Sequence, residues 1–214
     1  ALSSALQEEY APEAAPDGEA LTVLLVSDIH SSNQYALMRT IVREQDIDVV
    51  IDSGDLINFG RVQEAGLSNL YRSISSLGVP YVFVAGNHDR SAVDDTQLLD
   101  DLAGTDGVTP LEPGSGEYQQ IEVGGLRIAG FNDPRYYGDA DDGSTDEQVA
   151  ARERWVEALG DAEPPDITVS HEEPALEDAP GRLRVHGHGH VPQVSGNRLQ
   201  VGTFTGGGTR SEEH

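Results

Sequence analysis

The chain has 214 residues, enough for one domain with a proper core, and it carries 38 acidic against 13 basic residues, a formal net charge of −25. It has no cysteine, which excludes disulfides, thiolate metal sites and cysteine nucleophiles. Every basic residue is arginine; so acidic a surface, typical of salt-adapted or GC-rich sources, repels nucleic acid and anionic lipid.

Residues 1–20, rich in Ala, Pro and Glu, read as a flexible N-terminal arm or linker, with the folded domain over 21–210. The first residue is Ala1 rather than Met, which suggests a processed or excised piece and leaves an upstream anchor open. No run of about 18 apolar residues occurs, so no transmembrane segment is expected in the chain. Leu21–Asp28 is an apolar run ending in polar residues, the pattern of a buried strand. A helix follows over 33–45, with Ala36, Leu37, Thr40 and Ile41 at helical spacing, then a second buried strand over Asp48–Asp55. One helix is predicted over 62–78, ended by Gly78 with Pro80 just after, and a third strand over 80–89. This alternation implies parallel strands joined by helices. Further on, 117–123 and 126–131 flank Gly124-Gly125 as a hairpin. A helix is expected over Thr145–Leu159 with Trp155 inward, a strand over 166–171, and short strands near Leu183–Val185, Gln193–Val194 and Leu199–Gly202. The locally simple run Thr205–Gly208 comes soon before the chain stops, and a terminal strand or two is expected to be missing. The acidic loop Asp139–Asp142 lacks the spacing of a calcium loop and reads as solvated.

Where the buried strands stop is more informative. The ends read "SDIH", "SGDL", "GNHD", "VSHE" and "HGHGH", each delivering Asp, Asn or His to the edge where α/β sheets collect ligands. One such residue is ordinarily a helix cap or turn residue; five successive ends are hard to ascribe to turn chemistry.

In order, Asp28-Ile29-His30, Gly54-Asp55, Gly86-Asn87-His88-Asp89, the lone His171 and Gly187-His188-Gly189-His190 resemble the motifs of the calcineurin-like metallophosphoesterases. The resemblance spans residues 28–190 and implies an α/β (α+β) fold, a central β-sandwich of mixed sheets flanked by helices. It implies one metal ion on Asp28, His30, Asp55 and His190, and a second on Asp55, Asn87, His171 and His188, with Asp55 bridging. His88 takes the catalytic position and Asp89 that of its orienting partner; His186 falls outside the motif and reads as a supporting residue. Imidazole, carboxylate and amide ligands suit Mn, Fe, Zn or Ni better than Mg or Ca. Two divalent ions against two carboxylates leave the site cationic, so it attracts phosphate. The implied activity is hydrolysis of a phosphomonoester or phosphodiester by a metal-bridging hydroxide, with no covalent phosphoenzyme; the alternative is a non-catalytic metal-binding scaffold of the same fold. A small phosphorylated substrate is expected rather than a nucleic-acid polymer. The stretches "VLLVSDIH", "GVPYVFVAGNHD" and "GLRIAGFNDPR" look similar to membrane-anchored members of bacterial or archaeal type, so an extracytoplasmic and a cytoplasmic location both stay open.

Arg90, Asn132 and Arg135 are candidate substrate contacts, with Tyr136 and Tyr137 placed to stack on a base or sugar and Asn58 and Phe59 to line the pocket. The plainer alternative is an Asp-Pro turn whose aromatics cap the core and whose arginines pair with carboxylates. His214 is a tail residue without a role.

Overall fold

The computed structural model describes residues 21–139 and 145–204. The expected arm 1–20, most of the acidic loop 139–142, the Thr205–Gly208 run and His214 lie outside the described residues.

The first sheet is wholly parallel, in the order β1 (Val23–Val26), β2 (Val49–Asp52), β3 (Tyr81–Phe83) and β4 (Val108–Pro110). Parallel neighbours need crossovers, and these carry α1 (Tyr35–Glu44), α2 (Val62–Leu67), α3 (Leu70–Ser75) and α4 (Gln97–Ala103). The second sheet contains β5 (Gln120–Val123), β6 (Leu126–Gly130), β7 (Ile167–Val169), β8 (Leu183–His186), β9 (Gln193–Ser195) and β10 (Arg198–Gln200), in the order β5-β6-β7-β8-β10-β9. It is antiparallel at both edges, β5 with β6 and β9 with β10, and parallel between. Gly124 and Gly125, with φ of 56° and 83°, supply the left-handed residues that its tight hairpin needs.

Period-2 alternation builds the layers. Val49 and Ile51 of β2, with Val82 of β3 and Val84 just beyond it, face Ile128, Val169 and Val185 of the second sheet. Val50, Tyr81 and Phe83 face the opposite way, onto the helices, among Met38, Val42, Leu70, Ile74 and Leu102. Each such side chain contributes about 1.5–3 kcal/mol on burial. On the far side, α5 (Thr145–Leu159) packs Trp155 against Phe131, with ring centroids 5.2 Å apart. The expected sandwich flanked by helices is present, and Trp155 points inward as its position predicts.

Three expectations are corrected. The single helix over 62–78 is two, because Asn69 adopts a left-handed conformation (φ 56°), which asparagine tolerates. The buried stripe of α1 is Tyr35, Met38 and Val42, not Ala36, Leu37, Thr40 and Ile41; both sets have helical spacing, and the bulkier one faces the core. The sequence suggested no element between Asp89 and Glu117, yet α4 and β4 lie there, α4 burying Leu98, Leu99 and Leu102.

Candidate metal centre

The carboxyl ends of β1, β2 and β3 meet those of β7 and β8 at one edge of the sandwich, where the His188 N–H donates to Asp28 Oδ2 at 3.1 Å. The loops are zipped together by backbone hydrogen bonds, Asp28 N to Gly54 O, His30 N to Asp55 O and Gly187 N to His171 O, at 2.9–3.0 Å. The conformation is strained. Of the eight non-glycine residues with positive φ among the described residues, five are Asp28, His30, Asp55, His188 and His190, and backbone strain of this kind concentrates at functional sites.

The edge brings together two triads, Asp28 with His30 and His190, and Asp55 with His171 and His188, each with ligand atoms within 4.8 Å of one another. Asp55 joins them. Its Oδ1 accepts the His88 N–H at 2.9 Å, while Oδ2 lies 3.8 Å from His30 Nε2 and 3.3 Å from His171 Nε2. Asp28 is divided in the same way: Oδ2 takes the His188 N–H, and Oδ1 stands 3.2 Å from His190 Nε2. His171 Nδ1 donates to the Ser53 carbonyl at 2.8 Å; a carbonyl only accepts, so Nε2 is the ring nitrogen turned toward Asp55 and available to a metal once deprotonated.

These residues fit divalent metals by what they lack. Among the described residues Asp28 Oδ1, Asn87 Oδ1 and His171 Nε2 are buried with no hydrogen-bond partner, an arrangement that costs about 1–3 kcal/mol per group unless a ligand supplies the partner. The electrostatics agree. Burial opposes the Asp55 charge, but His171, His88 and His30 outweigh it and hold the carboxylate well below its usual range. Burial likewise opposes a charged His171, and Asp55 overcomes it. The Asp28 carboxylate 3.2 Å away raises His190, whereas burial lowers His30 and His188.

His88 sits beside the first triad, its ring centroid 5.0 Å from that of His30. The sequence pairs its ring with Asp89; the structure puts Asn58 there, His88 Nδ1 lying within hydrogen-bonding distance of the Asn58 carbonyl. Asp89 instead accepts backbone N–H groups of Asp55, Gly86 and Ile57 at 2.8–3.1 Å, clamping the two ligand loops together. Asn58 also donates to the His30 carbonyl at 3.0 Å, and Glu64 accepts the Asn58 and Phe59 N–H groups at 2.9 Å. No motif marks Glu64 for this role; its only sequence signal is a place in the first turn of α2.

The three candidate substrate contacts are occupied elsewhere. Arg135 is 3% exposed and chelated by Asp133 at 2.7 and 3.0 Å, with a further ion pair to Glu172. Asn132 accepts the Ala85 N–H and donates to the Glu112 carbonyl, both at 2.8 Å. Arg90 donates to the carbonyls of Asp133 and Arg135, tying this loop to the His88 loop. The buried Arg135 guanidinium needs anionic partners, and Asp133 and Glu172 supply them. Tyr136 is half-buried, whereas Tyr137 is exposed with its ring 5.3 Å from His88. Not every strand end carries a ligand: after β4 comes Glu112, whose carboxylate takes the Gly116 and Asn132 N–H groups at 2.8 Å. The sequence missed Glu172, whose Oε1 lies 3.1 Å from His188 Nε2. His186 is buried and belongs to neither triad.

A family model described as calcineurin-like phosphoesterase matches residues 21–192. The chain belongs to the calcineurin-like phosphoesterase family. Among solved structures it is similar to a dimetal phosphatase from Danio rerio, at 11% identity and TM-score 0.53, over 85% of this chain and 86% of that one. It is also similar to GAP50, the anchor in the inner membrane complex of Plasmodium, at 11% identity and TM-score 0.52, over 85% and 71%. A third is purple acid phosphatase PPD1 from yellow lupin, at 15% identity and TM-score 0.51, over 91% of this chain and 46% of that one. No curated protein matches the chain. Identities this low show the shared fold alone, a fold used by a phosphatase and by an anchor alike; for this family member, activity has to be argued from its side chains. No helix among the described residues is long and apolar enough to cross a membrane.

Proposed function

We propose that this calcineurin-like phosphoesterase hydrolyses a phosphomonoester or phosphodiester of a small substrate at a binuclear metal centre, without a covalent phosphoenzyme. The observation that carries the reading is the set of buried, unpartnered ligand atoms on Asp28, Asn87 and His171 beside the shared carboxylate of Asp55. Asp28, His30, Asp55 and His190 would hold one ion, and Asp55, Asn87, His171 and His188 the other. Two divalent ions of the Mn, Fe, Zn or Ni type supply water activation and charge neutralisation on the phosphoryl oxygens.

The chain's own groups do the rest. Asp55 is fixed through Oδ1 by the His88 N–H, so its second oxygen is presented to both triads without rotating. His171 is locked with Nε2 inward by Ser53. His88 keeps a proton at Nδ1 on the Asn58 carbonyl, leaving Nε2 to hold and deliver a proton to the leaving oxygen. Asp89 acts through backbone, holding the Asp55 and Asn87 loops at one separation. With a net charge of −25, a cationic pocket in an acidic surface favours a compact phosphate ester over a polyanion. The presence of His88 with all seven ligand residues weighs against the non-catalytic scaffold.

The test is elemental analysis combined with turnover of a chromogenic monoester and diester by wild type and His88→Ala. Two ions per chain are expected in both proteins, with the mutant rate down by roughly 10²–10⁴. Fewer than one ion per wild-type chain, or an unaffected mutant rate, defeats the reading.

A further inference from the structure

Of the aromatic side chains among the described residues, two are exposed, Phe59 at 54% and Tyr137 at 40%. They touch each other, with centroids 5.4 Å apart and planes at 78°. Tyr137 is in turn 5.3 Å from His88, which is 5.0 Å from His30, itself 5.4 Å from His190. Five rings thus run in unbroken contact from the first ligand triad to solvent, and the outer two form an L-shaped corner. The remaining exposed large apolar residues are aliphatic.

Both rings rest on anchored backbone. The Tyr137 N–H donates to the Arg90 carbonyl at 2.8 Å, and the Arg90 guanidinium binds back to the same loop through Asp133 and Arg135. The Phe59 N–H is held by Glu64 at 2.9 Å, and the Gly60 N–H by the His88 carbonyl at 2.9 Å. Bare aromatic surface is unfavourable in water, and two rings fixed rigidly beside a proton-delivering histidine gain by covering a third. A flat ring can stack on one wall of the corner while meeting the other edge-on, the two geometries aromatic pairs prefer. A polyol gains little from such carbon walls.

We propose that Phe59 and Tyr137 form the leaving-group subsite, selecting esters whose leaving group carries a planar unsaturated ring, aryl or nucleobase, next to the scissile bond. This rests on the hydrolytic reading above. With a phosphoryl group at the metal triads and His88 at the leaving oxygen, the first ring beyond that oxygen falls against Tyr137.

The experiment compares kcat/KM for phenyl phosphate and ethyl phosphate in metal-loaded wild type, the double variant Phe59→Leu/Tyr137→Leu, and Tyr137→Phe. The phenyl-to-ethyl ratio is expected to fall by about tenfold in the double variant, the worth of one to two aromatic pairs, and to persist in Tyr137→Phe, which keeps the ring. A fall of less than about twofold in the double variant, below even one such pair, or a comparable loss in Tyr137→Phe, overturns the subsite. Calorimetry with benzylphosphonate and methylphosphonate separates this proposal from the chemistry. If wild type hydrolyses neither ester nor the chromogenic diester, the hydrolytic reading falls; whenever neither monoester turns over, the phosphonates decide: a benzyl preference lost in the double variant supports the subsite, and equal wild-type affinities overturn it.

Discussion

Two sets of buried polar side chains share one edge of the sandwich and differ in whether they are satisfied. Asp28, Asn87 and His171 each keep a buried atom without a hydrogen-bond partner. A few residues away in the fold, Asn132, Asp133 and Arg135 are bonded to one another's surroundings, with Gln148 adding a 3.0 Å bond to Asp133. Both sets are polar, buried and placed after strands. An unpaired buried group is destabilising unless a ligand completes it, whereas a satisfied network only holds the fold. The unpaired atoms of Asp28, Asn87 and His171 support the proposed metal centre, whereas the Asp133–Arg135 pair braces the loop beside it.

The comparison is broken most severely at Asp55. Asp55→Asn removes the carboxylate both triads share, and a rate loss of roughly a thousandfold, about 4 kcal/mol, is expected together with less than one ion per chain by elemental analysis. Next comes Gly86→Ala: an added Cβ would sit 2.2 Å from Asp55 Oδ1 and 2.7 Å from Asp55 N. Metal affinity measured by competition with a chelator is expected to weaken by about 10–100-fold, as when a ligand's support is lost. Gly66→Ala is the control, since its Cβ meets nothing within 4 Å.

Arg135→Met probes the satisfied set. It strands Asp133 and Glu172, and breaking a buried pair costs about 3–5 kcal/mol, at about 2–4 °C of Tm per kcal/mol for a domain of this size. The effect depends on pH in a stated direction. Burial opposes the Asp133 charge, but Arg135 outweighs it and depresses the carboxyl. That contribution is complete above the unfolded value, about 3.9, and fades as pH falls through the lower folded value. The Tm gap between wild type and Arg135→Met is therefore widest near neutrality and narrows toward pH 3; a constant gap would show that Asp133 does not carry it. The smallest effect is expected from His186→Gln, which lies outside both triads: metal content stays at two ions per chain and Tm moves by a few degrees in thermal melts.

Much of the candidate site was legible because a cluster able to hold metals depends on residue type and strand-end position, and both are written locally. Asp28, His30, Asp55, His171, His188 and His190 could be named from motifs and meet in the structure. The substrate contacts were not legible. Whether Arg135 faces a ligand or a carboxylate depends on Asp133 and on Glu172, the latter 37 positions away, and no local pattern reports that pairing. The His88 partner failed for the same reason, since Asn58 reaches it across a loop crossing rather than from the adjacent position.

The sequence by itself determined the layered α/β architecture, through apolar runs and period-2 alternation, and it placed Asp, Asn and His at five strand ends, the positions from which the proposed ligands come. Which helix face is buried, where Asn69 divides a helix, which arginines are consumed by ion pairs, and that Phe59 meets Tyr137 beside His88 were decided by the tertiary structure. Those outcomes turn on contacts between distant segments, where burial forces each charge to find a partner and leaves exposed only what nothing else covers.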